Sequence, residues 1–558
     1  MKKITGLLLA PMLLAASTLA ISAAEPAKTG VMVVSPSSQS QPTYLRNFNP
    51  FNATPLFPTT NGIYEPMMID NKVTGETVPW LARAFKWEDG GKKLVFTLQD
   101  NVKWSDGEPM TASDVVFTFD LLAKTNGLQG AGLQAVGKSG YVKSVEAPDD
   151  KTVVFTFDHV HSPGFYDIIA QNIVPEHIWK DVEDPVKFTN DNPVGTGPFT
   201  EVTAFQSQSY QVDKNPYYWQ TGKPYYNGMR MPAFGGNDAV SVAFANGTLD
   251  WAAQFFPNMQ KAIIDKNPED LHFWWPTVGA DVLFMLNTKI TPFDDVVVRK
   301  AVSLALNRKQ MIQIALQGQS SESDVTALSS GYSAWKVKDP STLGDWVDFD
   351  PARANKMLDE AGYKMGPDGI RLTPDGEPMV FDFTMVNGFT DWIAVTPVIS
   401  QNLKKIGIKL EVVMADVPVA FGNWINGEYD VSMFFGIDAS SPYTYYRNVM
   451  SAKTVAPIGS PTGFAENFWR YSSDKADQLL DEFAGTVDHD KQFAVMQELQ
   501  KIMADEAPVI PMWHAPMFYE YNSARFTGWA DADNAYTAPM PRQTTSDQLL
   551  LMTTVKAK

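Results

Sequence analysis

The residue types that most often carry catalysis or bind metals are scarce in this chain. It has no cysteine, which excludes disulfides, thiolate nucleophiles and cysteine-based metal sites. Its six histidines are scattered, and only His159 and His161 are near neighbours. On a strand these two would share a face and could bind a metal together, but two polar residues at a strand end are the commoner arrangement.

Other fragments of known motifs are incomplete. The segment 192–199, NPVGTGPF, has a Gly-x-Gly but lacks the third Gly and the Lys of a phosphate-binding loop, so it indicates a tight turn. Asp531-Ala-Asp-Asn534 lacks the Gly and the distant Glu of a calcium loop. No G-x-S-x-G, H-E-x-x-H or Walker motif occurs, and nothing marks a catalytic pair among the 63 acidic residues. We therefore predict no enzyme, no cofactor and no metal.

The N-terminus has the pattern of an export signal. Lys2 and Lys3 precede an apolar run from Ile4 to Ile21, and Ser22-Ala23-Ala24 matches a signal-peptidase site. The alternative is a retained anchor, which the short length and the following polar residues disfavour. Without cysteine there is no lipid-modified cleavage site. We expect residues 1–24 to be a cleaved signal peptide and the mature protein to be periplasmic, soluble and without a lipid anchor.

Charge and length limit the partners and the architecture. The formal net charge of −18 argues against nucleic acid or anionic lipid as a partner, because either would require a basic face. A length of 558 residues exceeds what one hydrophobic core organises, so we expect at least two lobes.

The elements that would position a site are clearest in the second half. Val282–Leu286 is an unbroken apolar run typical of a buried strand, and helical spacing follows from Val296 to Leu316. A strand at Val380–Val386, a helix at Pro397–Ile406 with Pro in its first turn, and a strand at Ile408–Met414 predict a parallel sheet. The apolar run Val509–Trp513 is predicted to re-enter the first lobe.

These signals divide the chain into six segments. The predicted segments are the signal peptide at 1–24, first-lobe parts at 25–65, 191–284 and 513–558, an inserted α+β subdomain at 66–190, and the second lobe at 285–512.

Five segments together resemble one family. They are NVKWSDGEPMTASDVVFTF (101–119), NPVGTGPF (192–199), NPYYW (215–219), LNTKITPFDDVVVRKAVSLALNR (286–308) and EAPVIPMWH (506–514). In this order they are similar to the extracellular solute-binding proteins of family 5, the periplasmic components of ABC importers. The resemblance implies an α/β, two-lobed periplasmic-binding-protein fold of the large class, with an extra N-terminal subdomain, a hinge and a ligand between the lobes. It also implies an inner-membrane ABC permease as partner and a monomer.

Within the family, the chain is most similar to the branch that binds chito- and cello-oligosaccharides. Asn387-Gly-Phe-Thr-Asp-Trp392 resembles a segment of that branch in which an aromatic ring stacks on a sugar and an Asp binds hydroxyls. The branch usually has Trp where this chain has Phe389. Arg46-Asn-Phe-Asn-Pro50 resembles its N-terminal segment. The expected ligand-binding residues are Arg46, Asn49, Trp251, Asn387, Phe389, Asp391, Trp392, Phe435, Asp438, Phe464 and Trp513.

Asp438 leaves a second ligand class open. Peptide-binding relatives have an Asp in the loop after this strand, where it pairs with the ligand's α-amino group; under the oligosaccharide interpretation Asp438 is a hydroxyl acceptor or a loop cap. We expect capture of a β-linked oligosaccharide for import, with oligopeptide or dipeptide binding as the alternative.

Overall fold

The computed structural model describes residues 30–558, apart from residues 38–41, 139, 257, 438 and 464–465. The predicted signal peptide at 1–24 lies outside the described residues. No helix in these ranges is both long and apolar enough to cross a membrane.

The strands are numbered in chain order, from the first buried strand to the C-terminus. They are β1 Val31–Ser35, β2 Met68–Asn71, β3 Glu76–Pro79, β4 Ala82–Glu88, β5 Lys93–Leu98, β6 Val142–Asp149, β7 Thr152–Phe157, β8 Phe199–Gln206, β9 Ser209–Lys214, β10 Gly228–Pro232, β11 Trp251–Ala252, β12 Leu271–Phe273, β13 Asp281–Leu286, β14 Val380–Val386, β15 Lys409–Ala415, β16 Val431–Phe434, β17 Ile510–His514, β18 Glu520–Asn522, β19 Phe526–Thr527 and β20 Lys556–Ala557.

The helices follow the same order. They are α1 Ala112–Lys124, α2 Leu133–Val136, α3 Gly164–Ile169, α4 Glu176–Trp179, α5 Asn237–Ala245, α6 Met259–Ala262, α7 Val296–Ala305, α8 Arg308–Leu316, α9 Pro351–Glu360, α10 Thr390–Lys404, α11 Val417–Asn426, α12 Pro442–Met450, α13 Asp474–Ala484, α14 His489–Glu506 and α15 Gln548–Met552. Short 3₁₀ turns lie at Asp89–Gly91, Ile264–Lys266, Ser330–Trp335, Pro340–Leu343 and Ala452–Thr454.

The first lobe is built on a seven-stranded mixed sheet. Its strand order is β12-β18-β11-β1-β10-β9-β8, and β1 pairs in parallel with both β10 and β11. All five residues of β1 are buried, as expected for a central strand covered on both faces. The C-terminal strand β18 lies between β12 and β11, so residues distant in sequence complete this sheet.

A smaller sheet marks the inserted subdomain. Its antiparallel order is β4-β5-β7-β6, and its apolar core includes Phe96, Phe119 and Phe155. Helix α1 begins at Ala112, where Thr111 and Asp114 form a reciprocal capping box.

The second lobe is built on a five-stranded sheet with the order β15-β14-β16-β13-β17. Strand β14 is parallel to β15 and β16, as predicted for β14 and β15, while β13 is antiparallel to β16 and β17. Its core cluster includes Phe284 and Phe383, whose rings lie 5.7 Å apart. The predicted α/β architecture is confirmed.

The expectation that Val509–Trp513 re-enters the first lobe is wrong. These residues form β17, which pairs with β13 in the second sheet. The chain returns to the first lobe only at β18, which pairs with β11. The predicted boundaries at 284/285 and 512/513 fall inside β13 and β17. An apolar run of this length indicates a buried strand but not which sheet it joins.

Two predicted helices differ from the observed ones. The run Val296–Leu316 is broken at Leu306-Asn307, because the Asn307 side chain caps α8 by accepting from the backbone N of Gln310 at 3.0 Å. Helix α10 begins at Thr390 rather than at Pro397, which lies inside it. The buried side chains of Val395, Ile399 and Leu403 hold this helix on the core despite the hydrogen bond that Pro cannot donate.

Candidate functional site

The carboxyl edge of the second sheet faces the first lobe. The parallel strands β14, β15 and β16 all end at this edge. There β13 begins and β17 ends, since Leu283 pairs with Phe434 and Asp281 pairs with His514. The chain therefore enters and leaves the second lobe at this edge, where ligands bind in open α/β sheets.

The edge of the first sheet that faces the second lobe is formed by the ends of β11 and β12. Strand β11 ends there, and Ala252 pairs with Glu520, the first residue of β18. Strand β12 ends at the same level, with Phe273 opposite Glu520. Residues 274–280 and 515–519 thus connect the facing edges of the two sheets and form the hinge region.

A buried ion pair joins the two strands at the hinge. The Nδ1 of His514 lies 2.5 Å from Oδ1 of Asp281. Burial lowers the pKa of His514, but the Asp281 carboxylate outweighs it and raises that pKa above its usual value. The pair therefore favours a charged imidazole at the point where the chain crosses between lobes.

Two predicted site residues lie where the loop after β14 meets α10. Asn387 is exposed and donates from Nδ2 to Oδ1 of Asp416 at 2.8 Å. Phe389 is half-buried, with its ring 5.1 Å from that of Trp392. The pair Asn387–Asp416 leaves one amide oxygen and one carboxylate oxygen available to a ligand.

Asp391 lies in the first turn of α10. Burial raises the pKa of its carboxyl, because desolvation outweighs the hydrogen bonds from the helix backbone. The helix N-terminus favours a carboxylate at this position. A half-buried acid of this kind is suited to accept hydrogen bonds from a ligand.

Phe435 follows β16 at the same edge and is 37% exposed. Its ring lies 4.5 Å from Phe434 and 5.9 Å from Phe421, which is itself half-buried. The structure thus brings Asn387, Phe389, Asp391 and Phe435 to one edge of one sheet.

Three predicted tryptophans are core residues. Trp251 is fully buried and donates from Nε1 to the carbonyl oxygen of Pro539 at 2.8 Å. Trp513 is 1% exposed in β17, and Trp392 is 4% exposed. The predicted ligand contacts of Trp251, Trp513 and Trp392 do not agree with this packing, since no ring face is open to a ligand.

Arg46 and Asn49 bind their own lobe. Arg46 donates to the carbonyl oxygen of Asp191 at 2.7 Å and to Oδ1 of Asn192 at 3.0 Å. Asn49 is buried and donates to the carbonyls of Pro185 and Phe188. Both residues hold loops of the first-lobe side in place, and Arg46 also lies 5.4 Å from the ring centroid of Phe205 near the end of β8, so its ligand contact stays a prediction. Asp438 and Phe464 lie outside the described residues.

Sequence reasoning missed Asp416 and Phe421. Asp416 directly follows β15, and Phe421 lies in the helix that begins after it. The available signal was the parallel pairing of β14 with β15, which places the residue after each strand at the same edge.

The histidine pair shows no metal-site geometry. The rings of His159 and His161 lie 6.0 Å apart, and burial lowers the pKa of His161 to about 4. In the part of the chain that the structure describes, no three His, Asp or Glu side chains form a group that could hold a metal.

Comparison with known proteins places the chain among binding proteins. A probable D,D-dipeptide-binding periplasmic protein of Escherichia coli is 24% identical over 449 residues, covering 77% of this chain and 78% of that protein. The nickel-binding periplasmic protein of the same species is 23% identical over 464 residues, covering 82% and 84%.

Solved structures confirm the two-lobed fold. A periplasmic oligopeptide-binding protein of an ABC transporter from Thermotoga maritima matches with a TM-score of 0.85 at 23% identity, covering 95% of this chain and 99% of that chain. A mannohexaose-bound structure with the same description matches with a TM-score of 0.78 at 24% identity and the same coverage.

A family model confirms the resemblance seen in the sequence. It is described as bacterial extracellular solute-binding proteins, family 5 Middle, and it matches residues 76–457. Because that range is more than half of the 558 residues, the chain belongs to the bacterial extracellular solute-binding proteins, family 5.

Proposed function

We propose that this solute-binding protein, the binding component of an ABC importer, captures a neutral β-linked oligosaccharide of the chito- or cello-oligosaccharide type. The observation that carries the proposal is the composition of the second-lobe edge. Segments 387–392, 416–421 and 435–440 combine Phe side chains with Asn and Asp and contain no Lys, Arg or His.

This composition suits a sugar for physical reasons. The C–H faces of a pyranose pack on aromatic rings, and its hydroxyls need planar groups that accept or donate hydrogen bonds. Phe389 and Phe435 supply ring faces, while Asp391 and the pair Asn387–Asp416 supply the polar partners. A similar fold with bound mannohexaose supports the same ligand class.

Oligopeptide binding is the second candidate. Several relatives are described as peptide-binding, and Asp391 or Asp416 could accept a ligand's α-amino group. A peptide's α-carboxylate, however, calls for a free cation; the three edge segments have none, and the cations beside them, His514 and Lys72, are already paired with Asp281 and Asp70. We therefore favour the sugar.

The proposed mechanism is capture by closure. A ligand that contacts both facing edges binds the closed form better than the open form and shifts the population toward it. The permease then recognises the closed molecule. No bond is made or broken, so the protein acts as a carrier and not as an enzyme.

Calorimetric titration with chitobiose, cellobiose, mannohexaose and a mixed peptide library tests the ligand class. We expect binding of at least one sugar and none of the peptides. A sugar at a hundredfold excess over its Kd would stabilise the protein by about 2.7 kcal/mol. Saturable peptide binding without sugar binding would reverse the assignment.

Phe389→Ala and Asp391→Ala test the site. Each is expected to weaken sugar binding roughly tenfold, equivalent to about 1.4 kcal/mol. Phe349→Ala is the matched control, because Phe349 is a 42% exposed ring outside the edge segments. Unchanged affinity in both site variants would remove these residues from the site.

We further propose secretion through a cleaved signal peptide, a periplasmic location and a monomeric state. The sequence pattern at Lys2–Ala24 supports the first two. Mass spectrometry of protein from the periplasmic fraction should find Glu25 near the mature N-terminus. An intact Met1 in that fraction would contradict cleavage.

A further inference from the structure

Lys72 is a buried cation on the first-lobe side of the molecule. It follows β2, its side chain is only 11% exposed, and its Nζ lies 3.0 Å from Oδ2 of Asp70. Its backbone N donates to Oδ2 of Asp547 at 3.2 Å. Burial would lower the pKa of Lys72, but neighbouring acidic groups, among them Tyr332 and Asp70, raise it above its usual value, so the amine stays protonated.

The same ammonium reaches across to the second lobe. Nζ donates to the carbonyl oxygen of Ala439 at 2.9 Å and to that of Ser440 at 3.3 Å. It lies 5.4 Å from the ring centroid of Tyr332, whose hydroxyl donates to the same Ala439 carbonyl at 2.6 Å. An ammonium has three N–H donors. Asp70 takes one, and second-lobe carbonyls take the other two.

The segment held by Lys72 continues directly from the candidate site. Residues 435–440 follow β16, begin with the exposed ring of Phe435 and end at Ser440. The contact that holds Ala439 and Ser440 against the first lobe therefore lies four residues along the chain from Phe435 and joins the second-lobe edge to the first lobe. Charge-assisted hydrogen bonds are the stronger kind, which suits them to this task.

The contact is able to open. A cavity of about 90 Å³ adjoins Lys72, and its lining mixes apolar side chains such as Met68 and Ile169 with polar ones, among them Ser440 from the second lobe and Ser546 from the first. A cavity of this size has room for ordered water beside its polar groups. Water can thus replace the two carbonyls when the lobes separate, without leaving the ammonium unsolvated.

A second contact between the lobes lies at the inserted subdomain. Ser162 donates from its backbone N to the carbonyl of Ala484 at 2.9 Å and from Oγ to that of Phe483 at 3.2 Å. Gln492 donates to Ser162 Oγ at 2.8 Å. This contact is neutral and far in sequence from the segment after β16, so it serves as a comparison for Lys72.

We propose that Lys72 is a positioning residue for ligand capture, whose ammonium clamps the segment after β16 to the first lobe when the lobes are closed. The clamp contributes to closure independently of the ligand. The clamp depends on the two-lobed fold of the binding protein and not on whether the ligand is a sugar or a peptide.

The absence of cysteine allows a direct test. Gln208→Cys and Val419→Cys place spin labels on exposed residues near the facing edges of the two sheets, and double electron–electron resonance measures their separation without ligand. We expect Lys72→Met to increase the population with long separations at least threefold. Lys86→Met is the control, since Lys86 is exposed and pairs only with Glu88 among the described ion pairs.

Removing the Lys72 ammonium leaves Asp70 without its ion-pair partner, so Lys72→Met combined with Asp70→Asn is the second variant. If the clamp operates, this double variant should show the same increase in the population with long separations. Titration with mannohexaose should show weaker binding in both variants, by the factor by which the population of the closed form falls.

An unchanged separation in a folded Lys72 variant would overturn the proposal. Since the separation is measured without ligand, a failure of mannohexaose to bind would count against the sugar assignment and not against the clamp. Ser162→Ala shows how far the loss of a neutral contact between the lobes changes the population with long separations. A shift as large in Ser162→Ala as in Lys72→Met would also reject a specific role for Lys72.

Discussion

At the scale of single residues, burial separates the predicted site into two groups. Phe389 and Phe435 keep part of their rings open at the facing edge, whereas Trp251 and Trp513 are enclosed by the cores. All four are aromatic residues near strand ends, and their sequence neighbours do not distinguish them. Exposure depends on packing partners far away in the chain, such as Pro539 for Trp251.

Asp391→Asn is expected to separate binding from stability. Burial raises the pKa of Asp391 in the folded protein. Ionisation of this carboxyl therefore destabilises the folded state at high pH. Below the pKa of the unfolded chain the carboxyl is protonated in both states, and this destabilisation is absent. Asn removes that destabilisation, and the ligand-free Tm at pH 8 should rise by about 1–2 °C, while sugar binding weakens. Differential scanning calorimetry at pH 5 and pH 8 measures this, with exposed Asp375→Asn as control. A lower Tm would contradict the prediction.

Trp251→Ala should have the opposite profile. Deleting a fully buried indole leaves a cavity and an unpaired carbonyl at Pro539, so we expect a loss of about 3–5 kcal/mol in the free energy of unfolding. Urea unfolding measures the loss. The affinity of the molecules that remain folded should stay within twofold of the wild-type value. A large affinity loss with unchanged stability would return Trp251 to the site.

At the scale of elements, local patterns predicted strands and helices better than their partners. The buried strands β13 and β14 lie where the apolar runs of the sequence predicted them. The early start of α10 was missed, although Asp391 in a first turn is a helix signal. The pairing of β13 with β17 was missed because apolar runs do not encode which strand they join.

The hinge pair predicts a pH dependence of stability. Because Asp281 raises the pKa of His514, the pair's contribution is full below about pH 6.5, the unfolded pKa, and is lost as pH rises through the folded value. Lys336 opposes this shift and Asp324 supports it. His514→Gln should flatten the decline in urea stability between pH 6 and pH 9.

Exposed His159→Gln is the matched control for the hinge pair. It should leave the wild-type pH profile intact. An equal decline with pH in His514→Gln and in the wild type would show that the pair does not contribute.

At the scale of the whole molecule, length and the five family segments predicted the two lobes, the extra subdomain and the family. The facing edges of the sheets, and so the placement of Asn387 beside Asp416, depend on strand order. Sequence alone does not contain that order. The clamp at Lys72 had no sequence signal either, since the two second-lobe carbonyls that it binds lie more than 360 residues away.

The large negative charge gives a test of ligand class. With a net charge of −18, binding of a charged peptide would change with ionic strength, whereas binding of a neutral sugar would not. We expect the Kd for a bound oligosaccharide to change less than about twofold between roughly 0.05 M and 0.5 M NaCl, since only charge interactions are screened. A change of tenfold would indicate a charged ligand.

The position of β18 between β11 and β12 affects how the protein is made. Synthesis runs from the first residue to the last, so the first lobe's sheet keeps a gap until residues 520–522 have been added. Strands β11 and β12 then expose backbone groups that can pair with other chains. In a chain that stopped at His514, the second sheet would have all its strands. The first sheet would lack β18 and keep the gap between β11 and β12.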